Sequence, residues 1–129
     1  MQRRRVVVDM QNALFADTIA TVLQKFDSDF DVYQSESPAK TTDLCVLTQA
    51  NVLIMEVTAY TPLRLEERMN IRNEVKAQNP DCKIVLVVDE NTEKKLADKV
   101  RQAKKDGLVD NFIYGSVSST YLSAVIDAL

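Results

Sequence analysis

The sequence predicts a single α/β domain, in which a five-stranded parallel sheet lies between two layers of helices. Two observations predict this fold class. Five short apolar runs recur at even spacing along the 129 residues, and each is followed by a segment with helical periodicity. The first, third and fourth runs are continuous and rich in β-branched residues, which is typical of strands buried on both faces of a parallel sheet. Right-handed crossovers then place helices on both faces of that sheet.

The five predicted strands are the apolar runs themselves. They cover Val6 to Val8, Phe30 to Tyr33, Val52 to Met55, Ile84 to Val88 and Phe112 to Tyr114. The second run, FDVY, alternates apolar and polar residues. This alternation predicts a strand at the edge of the sheet.

The first two helices are predicted from periodicity and from residues that begin a helix. Residues 13–26 place five apolar side chains on one stripe, namely Phe15, Ile19, Val22, Leu23 and Phe26. Ser37 is the predicted N-cap, and Pro38 the first residue, of a short helix that reaches about Gln49.

The remaining helices are predicted over residues 64–78, over residues 93–106, and from Ser118 or Ser119 onward. Pro80 prevents the third helix from continuing, and Gly107 supplies the residue that follows the fourth. Their apolar stripes are Leu65, Met69, Ile71 and Val75; Leu96, Ala97, Val100 and Ala103; and Leu122, Val125 and Ile126. No second domain or linker is predicted, so residues 1–129 are expected to form one domain.

Composition excludes several chemistries. The chain has no His, so Ser-His-Asp and Cys-His catalysis and His-ligated metals are excluded. The two glycines, Gly107 and Gly115, form neither the G-x-G-x-x-G turn of a dinucleotide site nor the G-x-x-x-x-G-K-[ST] loop of a P-loop site. Cys45 and Cys82 fit no metal pattern and lie among apolar residues, so we expect packed thiols in a reducing compartment.

Charge and hydropathy exclude further classes. The formal net charge of −3 argues against direct binding of nucleic acid by this domain. No apolar run approaches the roughly 18 residues that a membrane span needs, and the apolar run after the basic start is too short for a signal peptide. We therefore expect a cytoplasmic protein without a membrane partner.

After these exclusions, carboxylates are the remaining candidate functional groups. They occur at the ends of predicted strands. In an open parallel sheet, sites lie beyond the carboxyl ends of the strands. Asp9 follows the first strand, Glu56 the third and Asp89 the fourth, so the three are expected to form an acidic rim. Like charges this close need a cation, raised pKa values or solvent.

Four segments resemble the receiver domain of bacterial two-component response regulators, the CheY-like family. The segments are RRVVVDMQNALFADTIATVL, ANVLIMEV, NPDCKIVLVVDENTEKK and KKDGLVDNFIYGSVSSTYL. The resemblance covers essentially the whole chain and implies a flavodoxin-like doubly wound sheet with strand order 2-1-3-4-5. It also implies a role in phosphorelay signal transduction.

The site residues of that family are matched only in part. Its members carry two acidic residues after the first strand that bind Mg²⁺, and here Asp9 fills the first position and Met10 the second. Glu56 replaces the Asp that accepts the phosphoryl group. Asp89 stands where a Thr or Ser is expected, and Gly115, or Ser116 after a slip of one residue, where a Lys is expected. The resemblance therefore implies a receiver with a degenerate phosphoacceptor site.

Two roles remain open for the acidic rim. Glu56 is either a permanent negative charge that stands in for phosphorylation or a solvated carboxylate at the edge of an inherited pocket, and the second is favoured because Asp89 is a poor responding partner. Asp9 and Glu56 are the candidate ligands for a weakly bound Mg²⁺. We expect no required cofactor and no enzymatic activity.

The expected mode of action is contact with a protein partner, either a signalling partner or an output domain. By resemblance, residues 93–129 form the partner surface and the candidate homodimer surface, and Asp89, Phe112 and Gly115 are the switch-equivalent positions. Two alternatives stay open. One is a divalent-metal or small-anion sensing domain that uses the acidic rim, and the other is the N-terminal module of a longer transcriptional regulator.

Overall fold

Strands and helices alternate along the chain in the predicted order. The computed structural model describes residues 3–89, 91, 93–115 and 119–129, with the side chains of residues 119 and 120 left out. The strands are β1 (Arg4–Asp9), β2 (Phe30–Gln34), β3 (Val52–Glu56), β4 (Lys83–Val88) and β5 (Asn111–Tyr114). The helices are α1 (Ala13–Phe26), α2 (Pro38–Thr48), α3 (Leu65–Gln78), α4 (Lys94–Lys105) and α5 (Ser119–Asp127).

The sheet has the predicted topology. All of its strand pairs are parallel, and the strand order is β2-β1-β3-β4-β5. The strand that alternates in sequence, β2, lies at one edge, as predicted. Strand order reverses between β1 and β3, so the carboxyl ends of these two strands flank the position where sheets of this type place their sites.

Successive side chains of each strand face opposite sides of the sheet, so two core layers form. Val7, Leu53 and Met55 pack on the side covered by α2, α3 and α4. Val6, Val8 and Ile54 pack on the side covered by α1 and α5. This alternation sets the direction in which each strand-end side chain points.

Most helix ends fall where the sequence places them. Pro38 is the first residue of α2. The third helix stops at Gln78, two residues before Pro80. Gly107 follows α4 with a φ of +78°, a conformation that residues with a Cβ adopt only at a cost.

One prediction about the helices is confirmed in position only, and one is wrong in detail. Ser37 occupies the N-cap position, but its side chain makes no capping hydrogen bond. Phe26, assigned to the buried stripe of α1, is 49% exposed, because the buried face of α1 is formed by Ala16, Ile19 and Leu23. The predicted cap at Ser118 lies outside the described residues.

The two cysteines are buried free thiols, as predicted. They contact each other, and the hydrogen bond with Cys82, together with burial, raises the pKa of Cys45. In the described part of the chain, no helix is both long enough and apolar enough to cross a membrane.

Candidate functional site at the carboxyl ends of the strands

Asp9 and Glu56, which the sequence places on one rim, point to opposite sides of the sheet. Asp9 pairs with Met55 across β1 and β3 and shares its face. Glu56 is the next residue after Met55, so strand alternation turns its side chain toward the α1 and α5 side. Met10, the neighbour of Asp9, packs on that same side. The rim therefore divides into two separate environments.

On the α2 and α3 side, Asp9 is bound by an arginine. Arg68 donates from Nη1 to Asp9 Oδ2 over 2.6 Å and from Nη2 to Asp9 Oδ1 over 3.3 Å. Both residues are almost completely buried, with Asp9 2% and Arg68 0% exposed. Removing one ion of such a pair would leave the other charge uncompensated in the interior.

The Arg68 guanidinium also joins two strand ends. Its Nε donates to the carbonyl oxygen of Glu56 over 2.7 Å, and its Nη2 donates to the carbonyl oxygen of Asp9 over 3.1 Å. The hydroxyl of Thr41 on α2 donates to Asp9 Oδ2 over 2.6 Å. Arg68 and Thr41 thus donate three hydrogen bonds to the Asp9 carboxylate from within the fold.

On the other side, Glu56 fixes the loop that follows β1. Its Oε1 accepts a hydrogen bond from the backbone N–H of Gln11 over 2.9 Å. Glu56 lines a cleft of about 360 Å³ together with Met10 and Asp89. The structure therefore brings Glu56 and Asp89 into one cleft and places Asp9 outside it.

Further polar groups border this cleft. The Asp89 carboxylate accepts a hydrogen bond from the backbone N–H of Asn91 over 3.0 Å. Glu93 also lines the cleft, and its Oε2 atom is buried without a hydrogen-bond partner among the described residues. The lining is thus acidic, and such a cleft favours a cation over an anion.

The position expected to carry a Lys is open. Gly115 lines the cleft and donates its N–H to the carbonyl oxygen of Val88 over 2.9 Å. A Cβ added to Gly115 would have as its nearest contact the Val88 oxygen, at 3.9 Å. Ser116, the alternative for this position, lies outside the described residues.

Phe112 lies away from the cleft, on the α4 side of β5. Its ring meets that of Tyr114 edge-on, with 5.5 Å between centroids. The ammonium group of Lys104 lies 5.8 Å from the Phe112 centroid, and Arg101 donates to the Tyr114 hydroxyl over 2.6 Å. These contacts tie β5 to α4.

The residues in place do not fit the Mg²⁺ site that the resemblance implies. Mg²⁺ requires near-octahedral oxygen ligands. The Asp9 carboxylate is bound by Arg68, and Met10 offers no oxygen where the second acidic residue is expected. Within the described ranges, no three His, Cys, Asp or Glu side chains are placed to hold a metal.

Arg68 is not among the residues predicted for the site, although the sequence contains a signal for it. Only apolar residues define the predicted stripe of the third helix. Position 68 precedes Ile71 by three residues and Val75 by seven, which is the spacing of one helix face. Ile71 and Val75 are buried, and Arg68 is buried with them. A charged residue within an apolar stripe predicts a buried partner of opposite charge.

Comparison with known proteins shows the fold. No protein-family model and no curated protein matches the sequence. A response regulator from Desulfuromonas acetoxidans matches with 18% identity and a TM-score of 0.73, over 97% of this chain and 94% of its own. A response regulator receiver domain protein from Clostridium thermocellum matches with 16% identity and a TM-score of 0.77, over 97% and 92%.

A third match is an orphan response regulator of H. pylori, with 17% identity and a TM-score of 0.74, over 97% of this chain and 94% of that one. The class that the fold defines is thus a doubly wound, flavodoxin-like α/β domain. More narrowly, this chain has the CheY-like fold of response regulator receiver domains.

Proposed function

We propose that this domain is a receiver-like module of bacterial two-component signal transduction that acts without phosphorylation, through contact with a protein partner. In this proposal it is not an enzyme, it needs no cofactor, and it works in the cytoplasm. The fold supports the receiver part of the proposal. The site geometry supports the loss of phosphotransfer.

The observation that carries the proposal is the ion pair of Asp9 with Arg68. Phosphoryl transfer needs cations that neutralise the charge on the transferred group. The single carboxylate retained in the expected acidic pair is bound by a guanidinium that is itself buried. Arg68 gives Asp9 a permanent countercharge on the α2 and α3 side of the sheet. The Glu56 side chain lies on the opposite side.

The other departures act on the same step. Glu56 has one more methylene than Asp, which moves its carboxylate by roughly one carbon–carbon bond, about 1.5 Å. In-line attack loses on the order of a hundredfold in rate for a displacement of about 1 Å. Gly115 supplies no cation, and Asp89 adds negative charge to the cleft. The backbone N–H of Gln11 donates a hydrogen bond to the Glu56 carboxylate, so Glu56 stabilises the loop after β1. This contact favours a structural role for Glu56 over mimicry of a phosphate.

We assign partner contact, and the candidate homodimer, to the surface of residues 93–129. Arg101, Lys104, Phe112 and Tyr114 connect α4 to β5 within it. Aromatic residues and arginine, here Phe112, Tyr114 and Arg101, are enriched at the centres of protein interfaces.

Mass spectrometry of the intact protein tests the loss of phosphotransfer. The chain is incubated with Mg²⁺ and an acyl phosphate, and Glu56→Gln is the matched control. We expect no phosphoryl adduct on either protein. An adduct on the wild type that maps to Glu56 and is absent from the control would overturn the proposal.

The alternative is a divalent-cation sensing domain. It is favoured by the buried Oε2 atom of Glu93, which lies in an acidic cleft and has no hydrogen-bond partner among the described residues. Calorimetric titration with Mg²⁺ and Mn²⁺ separates the two functions. Tight stoichiometric binding that Glu56→Ala abolishes would support the sensor. The receiver-like proposal predicts no such binding.

A further inference from the structure

A groove with an apolar floor lies between α3 and α4. It encloses about 700 Å³, and its floor includes Leu65, Met69 and Leu96. These three side chains are partly buried and pack against the core. A second depression of about 600 Å³ shares Leu96 with the groove and is bordered by Tyr60, which is 76% exposed.

The rim of this groove is basic. Arg64, Lys95 and Lys99 border it, and the acidic residue beside them is Glu66. The Glu66 carboxylate is held by Arg64 at 2.8 Å. Among the described residues, no carboxylate lies within ion-pair distance of Lys95 or Lys99. Within the described part of the chain, the charges of Lys95 and Lys99 therefore have no ion-pair partner, although the chain as a whole carries −3.

We propose that the groove between α3 and α4 binds an acidic segment of a partner protein through an apolar side chain flanked by carboxylates. The carboxylates complement Lys95 and Lys99, and the apolar side chain covers Met69 and Leu96. A nucleic acid backbone would leave the apolar floor uncovered. A membrane surface meets protruding side chains and does not enter a concave groove.

This proposal rests on the proposed function, because it names the chemistry of the partner in contact-based signalling. The groove adjoins the acidic cleft at the strand ends, with which it shares Thr58, but neither Glu56 nor Asp89 lines it. Its lysines lie on a different part of α4 from Lys104, which faces Phe112. Occupation of the groove therefore requires no chemistry at Glu56.

Fluorescence anisotropy with labelled synthetic peptides tests the proposal. The probe is a Glu/Leu peptide of about three helical turns with Leu on one face, and the control peptide has Ser in place of Leu. The test variant is Lys95→Glu with Lys99→Glu. The matched variant is Lys25→Glu with Lys40→Glu, which makes the same change in net charge at exposed positions outside the groove and outside residues 93–129.

We expect the Glu/Leu peptide to bind, the Glu/Ser peptide to bind at least about tenfold more weakly, and the groove variant to lose at least about tenfold in affinity. The matched variant is expected to lose less than about twofold. No binding at about 1 mM peptide, equal binding of both peptides, or an equal loss in both variants would overturn the proposal. A phosphoryl adduct on Glu56 would overturn the proposed function and leave these binding results unaffected.

Discussion

Arg68 donates two hydrogen bonds to the carboxylate of Asp9, and neither residue is open to solvent. The pair joins α3 to the end of β1 across 59 positions of sequence. Arg68 also binds the carbonyl oxygen of Glu56, so one guanidinium holds the ends of β1 and β3 together. The fold thus supplies its own cation at the strand ends.

Asp9→Asn is expected to destabilise the fold by about 3–5 kcal/mol, because it leaves the buried Arg68 guanidinium without its countercharge. Urea denaturation measures the free energy of unfolding. The matched control is Asp127→Asn, since Asp127 is partly exposed and pairs with Arg4 at the surface. The control should cost less than about 1 kcal/mol.

A double substitution, Asp9→Asn with Arg68→Met, tests why Asp9→Asn destabilises the fold. If the unpaired charge is the reason, the double variant should lose less free energy of unfolding than the sum of the losses in the two single variants. Strict additivity would show that the two side chains stabilise the fold independently and would contradict the pairing.

Met10→Asp is expected to raise the affinity for Mg²⁺ by at least about tenfold, because Met10 shares a cleft with Glu56 whereas Asp9 does not. The introduced carboxylate would lie on the same side of the sheet as Glu56. Calorimetric titration measures the affinity, and Met10→Asn controls for the loss of the apolar side chain. Equal Mg²⁺ affinities in the two variants would argue against placing residue 10 and Glu56 on the same side of the sheet.

Gly115→Lys is expected to change the free energy of unfolding by less than about 0.5 kcal/mol, since a Cβ at this position has its nearest contact at 3.9 Å. Gly107→Ala is the matched comparison. Its site is open as well, but its φ of +78° strains any residue with a Cβ, so a cost of about 1–2 kcal/mol is expected. Thermal unfolding measures both, and a larger loss at position 115 would mean that the cleft has no room for a lysine.

The carboxyl group of Asp31 is expected to titrate below the ordinary aspartate range. Arg3 donates to both of its oxygens, and these hydrogen bonds lower the pKa of Asp31. The pair's contribution to stability is therefore present above the ordinary pKa of Asp and is lost as the pH falls through the lowered value.

Carbon-13 NMR of the side-chain carboxyl groups measures this titration. Arg3→Gln should return the pKa of Asp31 to its usual range. The pKa of Glu36, which Lys40 lowers through a separate pair, should not move in that variant. An unchanged Asp31 titration in Arg3→Gln would show that the pair does not persist in solution.

The fold could be predicted from the sequence because the signals that predict it are local. Apolar runs, helix stripes and the residues Pro38, Pro80 and Gly107 each report on a few neighbouring positions, and the structure has the elements where these signals place them. The parallel pairing and the edge position of β2 are likewise as predicted.

The site was less predictable because it depends on the direction of side chains. Strand ends were predicted correctly, but whether two side chains meet depends on the face that each occupies. Val7 and Asp9 alternate with Val8 and Met10, so the sequence already separates Asp9 from the face of Met10. The partner of Asp9 lies on α3, and the contact of Arg68 with β1 arises only when the crossover packs on the sheet.

Whether Arg68 takes the place of a bound cation at Asp9 can be measured by NMR of these two side chains. The Asp9 carboxyl carbon and the Arg68 guanidinium N–H groups would be followed while Mg²⁺ is added to about 10 mM, a concentration that populates even weak sites. If Arg68 takes that place, the Asp9 resonance does not shift and the guanidinium protons stay protected from exchange. A saturable shift at Asp9, with loss of protection at Arg68, would contradict it.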